Sequence, residues 1–146
     1  MAEHIENLNK DHLDECAHLL VSVFNTEPWN ANYTFDTAKK ELAWTLDVPG
    51  SLGLVSFDEG VVAFAVGYIE QDDEREIYCL KTLCVRPDAQ GKGVGSRLMQ
   101  RLKEKLGRMG VNSIYLTTHK ETLAESFYKK IGYRASHKDV VMIHKW

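Results

Sequence analysis

The stretch Leu83-Cys84-Val85-Arg86-Pro87-Asp88-Ala89-Gln90-Gly91-Lys92-Gly93-Val94-Gly95-Ser96-Arg97-Leu98 constrains the fold more than any other part of the chain. An apolar, strand-like run from Ile77 to Val85 stops before Pro87, which cannot donate to a sheet ladder. Three glycines at alternate positions follow. Val94, Leu98, Leu102, Leu106 and Met109 then recur every three or four residues, as one face of a long helix does. Gly110 fits the position just past that helix, where a left-handed backbone is needed. The first N–H groups of such a helix have no partner within it. Together with the helix dipole they suit a phosphate or pyrophosphate.

The remaining segments supply a sheet and further helices. Leu13, Ala17, Leu20 and Phe24 predict an amphipathic helix over about Lys10 to Asn25, with Asn9 as its N-cap. Pro28 and two asparagines break the pattern over 26–33, and a second helix runs from about Asp36 to Leu46, ended by Pro49-Gly50. Leu52 to Phe57 and Val61 to Ile69 flank Asp58-Glu59-Gly60 and read as a hairpin. An acidic run, Glu70 to Glu76, precedes the strand Ile77 to Val85. Beyond Gly110 come a strand, Val111 to Thr117, a short helix, Thr122 to Lys130, and two terminal strands, Tyr133 to His137 and Val140 to Trp146. The expectation is a single α/β (α+β) domain over residues 1–146, with a mixed, mostly antiparallel sheet of about seven strands flanked by about four helices.

Composition narrows the function. The chain has 146 residues, 44% hydrophobic and 27% charged, with no apolar run near the roughly 18–20 residues of a membrane span. The N-terminus lacks the apolar core of a signal peptide, and the three cysteines are odd in number without CxxC spacing, which fits reduced thiols in the cytoplasm. Eighteen basic against 21 acidic residues give a net charge of −3, which does not favour nucleic acid as a partner. Six scattered histidines offer no zinc pattern, so no metal is expected. Neither a Walker A loop nor a dinucleotide fingerprint fits Gly91-x-Gly93-x-Gly95, because the spacings are wrong and the loop follows the fourth strand.

Two motifs in register resemble one family. Gln90-Gly91-Lys92-Gly93-Val94-Gly95 is similar to the pyrophosphate loop of the GNAT superfamily of acetyl-CoA-dependent N-acetyltransferases, and Leu83 to Pro87 resembles the strand leading into it. Ala124-x-x-Phe127-Tyr128-x-Lys130-x-Gly132-Tyr133 resembles the family's last helix. The resemblance implies that the backbone of Leu83, Cys84 and Val85 pairs with the pantetheine arm as an added strand. It implies that Gln90, Gly91, Lys92, Gly93, Val94, Gly95, Ser96 and Arg97 hold the pyrophosphate, with Phe127 beside the cofactor. Tyr128 matches a tyrosine that often protonates the departing CoA thiolate. Many relatives carry a glutamate six residues before the valine matching Val85; here that position is Cys79.

The group that deprotonates the amine is therefore open. Glu27, the acidic run Asp72, Asp73, Glu74 and Glu76, and His119 are candidates, and direct attack is favoured over an acetyl-Cys79 intermediate. Thr26-Glu27-Pro28-Trp29-Asn30 resembles a loop of the aminoglycoside 6′-N-acetyltransferase branch. With Glu27 drawing a cation and Trp29, Tyr33 and Cys79 lining its seat, a small cationic amine such as an aminoglycoside, polyamine or amino acid is the expected acceptor. The alternatives are a protein N-terminus or lysine as acceptor, and a non-catalytic CoA-binding module. The apolar end, Met142 to Trp146, suits a homodimer interface or core.

Overall fold

A computed structural model describes residues 3–146. One mixed sheet carries five strands in the order β1 (His4–Asn7), β2 (Ser51–Phe57), β3 (Val61–Asp72), β4 (Arg75–Val85) and β5 (Ile114–Tyr115). Neighbours are antiparallel as far as β4, and β5 joins β4 in parallel. The helices are α1 (Leu13–Phe24), α2 (Phe35–Asp47), α3 (Val94–Arg108) and α4 (Leu123–Lys130). The architecture is α/β. The chain divides into a larger unit that ends at Leu116 and a smaller one, Thr117–Trp146.

In the larger unit, α1 and α2 bury Leu13, Cys16, Ala17, Leu20, Ala38 and Leu42 against Val55, Phe64, Val66 and Cys84 of the sheet. Each fully buried leucine contributes about 1.5–3 kcal/mol. Helix α3 packs on β2, β3 and β4 through Val94, Leu98, Leu102 and Leu106, where the small, fully buried Ala63 and Ala65 leave room for a helix. Local chemistry sets the helix starts. The Asn9 side chain accepts from Asp11 N–H, and the Thr34 and Thr37 side chains satisfy each other's backbone N–H groups at the head of α2.

Several expectations are corrected. Lys10–His12 is a 3-10 turn ahead of α1. Met109 lies past the last turn of α3 and is half exposed, so it does not extend the buried stripe. The strands on either side of the acidic run reach past Ile69 and Ile77: Gln71 pairs with Glu76 and Asp72 with Arg75, leaving a two-residue turn in which Asp73 has φ 57°. The strand expected over Val111 to Thr117 shrinks to Ile114–Tyr115.

The two terminal strands do not form, so the sheet has five strands among the described residues instead of about seven. Ser136 explains part of this: its hydroxyl donates to Asp139 and accepts from the N–H groups of Lys138 and Asp139, closing a local turn in competition with a ladder. Val140, Val141, Met142 and Ile143 are 72–85% exposed, so this apolar run gains no burial that would order it as a strand.

Candidate functional site

The site begins with an irregularity between β3 and β4. Val66 pairs with Thr82 but Gly67 pairs with Leu80, so Lys81 is an extra residue in β4. Gly67 permits this. A Cβ there would stand 2.0 Å from the carbonyl oxygen of Cys79. The bulge also resets the alternation, so that Cys84, opposite Phe64, and Cys79, opposite Tyr68, share a face although they stand an odd number of positions apart.

Beside the bulge the sheet opens. β5 pairs with β4 only at Tyr78 and Cys79, where Tyr78 N–H donates to Ser113 O at 2.9 Å. From Leu80 to Val85, the outer edge of β4 has no strand neighbour among the described residues. Arg86 N–H points inward, donating to Val62 O at 2.8 Å, and Cys84 sits opposite Phe64. By alternation the peptide groups of Leu83 and Val85 face the open edge. The Gln90 side-chain amide donates to Val85 O at 2.9 Å, tying the start of the loop to this edge.

The edge runs into the glycine loop. Gly91 has φ 76° and Gly93 φ 82°, the left-handed region that other residues enter at a cost of roughly 1–2 kcal/mol. Gly93 is the N-cap of α3 and no side chain caps the helix. The N–H groups of Val94, Gly95 and Ser96 are therefore the first-turn donors available to an anion. Beside them lies a cleft of about 580 Å³ whose lining includes Arg86, Lys92 and Arg97 together with Glu3 and Asp88. Arg97 pairs with Glu3 and donates to Lys92 O at 3.2 Å. Burial alone would raise the Glu3 carboxyl, but hydrogen bonds from Arg97 and Ser56 outweigh it and hold the group below the usual glutamate range.

The cysteines divide into two kinds. Burial, with a smaller contribution from Glu15, pushes the Cys16 thiol up to about 12; burial, with Cys16 adjacent, pushes Cys84 higher still. Both stay protonated at neutral pH, as small core residues do. Cys79, 5% exposed, lies at the point where β4 and β5 part.

Between α1 and α2, Asn25 clamps the loop by donating to Tyr33 O and accepting from Tyr33 N–H, both at 2.9 Å. Trp29 packs on Phe24 with ring centroids 5.2 Å apart, and Glu27 is exposed. The Tyr33 hydroxyl donates to both Glu41 oxygens at 2.9 and 3.0 Å; burial and that carboxylate push its phenol up to about 12. Tyr33 lines a cleft of about 470 Å³ with Asn32, Thr37, Lys40, Glu41 and Trp44, whereas Glu27 and Trp29 do not line it. Glu41 and Trp44 escaped the sequence reading because they lie off the buried stripe of α2, and their nearness to Tyr33 is a tertiary fact.

In the smaller unit, the Thr122 side chain accepts from Glu125 N–H and caps α4. The Tyr128 ring meets Phe127 edge-on at 5.2 Å and Tyr133 at 5.4 Å. Burial first, and Tyr133 second, hold the Tyr128 phenol well above the usual tyrosine range. His119 is exposed, and its carbonyl accepts from Thr122 Oγ1.

No group of three or more His, Cys, Asp or Glu among the described residues could hold a metal ion, and no helix there is long and apolar enough to cross a membrane.

Known proteins share this fold. An L-2,4-diaminobutyric acid acetyltransferase of Nocardia farcinica is 26% identical over 88 residues, 60% of this chain and 42% of that protein. The chain spans less than half the length of the curated relatives it matches. An integron cassette protein from the mobile metagenome of V. cholerae superposes with a TM-score of 0.82 at 18% identity, covering 100% of this chain and 94% of that one. The aminoglycoside N-acetyltransferase AAC(6′)-Iy, solved with CoA, superposes at 0.78 and 18% identity, covering 99% and 95% of the two chains. At these identities the structural matches show the shared fold. Residues 13–133 match the Acetyltransferase (GNAT) family, most of the chain and both of its motifs, and the chain belongs to that family of acetyltransferases.

Proposed function

We propose that the protein transfers the acetyl group of acetyl-CoA to the primary amine of a small cationic molecule by direct attack. The observation that carries this reading is the open outer edge of β4 leading straight into the glycine loop. Leu83 presents strand-like backbone groups to a pantetheine amide, and Val94, Gly95 and Ser96 present N–H donors to a pyrophosphate. Lys92 adds a positive charge beside that path, where Arg86 is paired with Asp88 and Arg97 with Glu3. Tyr128, kept protonated by its surroundings, gives a proton to the departing thiolate.

The acceptor class is supported by what relatives act on. One matched relative acts on a diamino acid, and a structural neighbour is an aminoglycoside acetyltransferase. In the Tyr33, Glu41 and Trp44 cleft the chain's own Lys40 lies 4.9 Å from the Trp44 ring centroid, so the Glu41 carboxylate there is already balanced by a cation. The test is thiol release from acetyl-CoA with a panel of aminoglycosides, polyamines, diamino acids and lysine peptides. Turnover with small amines is expected. Turnover with peptides alone would reassign the acceptor, and thiol release with no panel member would contradict the enzymatic reading.

The loop geometry yields a quantitative expectation. Gly93→Ala must hold alanine at φ 82° with its Cβ 2.7 Å from the Arg97 guanidinium, so the loop relaxes away from its anion-binding shape. At roughly 1–2 kcal/mol of backbone strain, the affinity for acetyl-CoA should fall about tenfold by calorimetry. An unchanged affinity would place the pyrophosphate elsewhere.

A further inference from the structure

The family's glutamate position is occupied by Cys79, and the register shows what surrounds it. Cys79 of β4 stands opposite Tyr68 of β3 on one side and Tyr115 of β5 on the other. Tyr68 in turn faces Ser51 of β2. One polar row thus crosses four strands at the level where β4 and β5 part. Glu70, two residues after Tyr68, projects to the same face of the sheet.

These side chains act on one another. Cys79 and Glu70 both bear on the Tyr115 phenol, Cys79 most strongly, and both raise its pKa. The same two groups raise that of Tyr68. Glu70, opposite Ile77, stands one step along the same face from the Tyr68–Cys79 pair. It is half-buried and forms no ion pair among the described residues. The four residues include no basic side chain. A carboxylate on the same face as two phenols, and in no ion pair among the described residues, suits an incoming ammonium, which would gain charge, hydroxyl acceptors and aromatic faces.

We propose that Glu70, one step along the same face from the Tyr68–Cys79–Tyr115 row, holds the acceptor's ammonium at the fork of β4 and β5 and takes its proton. This rests on the acetyl-transfer reading above. In the reaction the ammonium gives one proton to the Glu70 carboxylate, and the freed lone pair forms a C–N bond to the thioester carbonyl carbon. The C–S bond breaks with its electron pair on sulfur. The second nitrogen proton balances the one that sulfur takes up, and the proton on Glu70 passes to solvent. The missing β4 carboxylate is thus supplied from the neighbouring strand.

The test compares wild type, Glu70→Gln and Glu70→Asp with the best acceptor from the amine panel, alongside calorimetry with acetyl-CoA alone. Glu70→Gln should lower kcat/KM for the amine about 100-fold while the acetyl-CoA affinity changes less than twofold. Glu70→Asp, which keeps the charge, should recover at least a tenth of the wild-type value. Glu70→Gln within threefold of wild type overturns the proposal, as does an equal loss in both variants. If wild type binds acetyl-CoA yet acetylates no amine, or fails to bind acetyl-CoA at all, the acetyl-transfer reading falls first and this assignment with it.

Discussion

Replacing Gly67 by Ala should destabilise the protein by about 3 kcal/mol or more, the upper end of what overpacking a core costs. The new Cβ would lie 2.0 Å from the Cys79 carbonyl oxygen and 3.0 Å from both the Cys79 carbonyl carbon and Leu80 Cα. All three are backbone atoms, so no side-chain rotation relieves the clash. Either β3 and β4 separate, or the bulge at Lys81 is lost and everything N-terminal to it in β4 changes face. Against a total stability of about 5–15 kcal/mol, the first outcome shows as a large fall in the urea midpoint. The second shows as loss of amine acetylation in whatever protein remains folded. Gly107 is the control: nothing lies within 4 Å of its would-be Cβ and it sits inside α3, so Gly107→Ala should stabilise by roughly 0.5–1 kcal/mol. A Gly67→Ala midpoint equal to wild type would contradict the register described for β3 and β4.

Tyr128→Phe should lower kcat about 100-fold and leave the acetyl-CoA affinity nearly unchanged. The substitution keeps the ring that packs on Phe127 and Tyr133 and removes only the hydroxyl. Burial and Tyr133 hold the phenol above the ordinary range, so in wild type it is protonated throughout the neutral range and able to donate. A general acid acting on the leaving group is worth about 10²–10⁴-fold, and the thiolate is the one leaving group in the reaction. Single-turnover rates read the effect without interference from product release. A variant with full kcat would remove Tyr128 from the chemistry.

Much of this organisation was legible in the residues themselves. The four-residue recurrence from Val94 to Leu106 and the glycine at 110 announce α3, because helical burial and a left-handed stop each leave a local mark. The hairpin around Asp58-Glu59-Gly60 is announced in the same way by its turn chemistry. The terminal segment differs: the apolar run Val140 to Ile143 suits a strand, but a strand needs a partner edge, and an apolar run alone does not report one. The polar row at Cys79 was illegible for a different reason. Strict alternation puts Cys79 and Cys84 on opposite faces, and only the extra residue at Lys81 brings them to the same one. Tyr68, Glu70 and Tyr115 come from two other strands, so no local pattern joins them to Cys79.

The most direct test of the central claim, that acetyl-CoA occupies the open edge of β4 and the glycine loop, is a thermal melt at rising acetyl-CoA concentration. A ligand at 100 times its Kd contributes about 2.7 kcal/mol, which raises the Tm of a domain of this size by roughly 5–10 °C. The account predicts such a rise for wild type, displaced to about tenfold higher concentration in Gly93→Ala. A wild-type Tm that does not move at millimolar acetyl-CoA would contradict it.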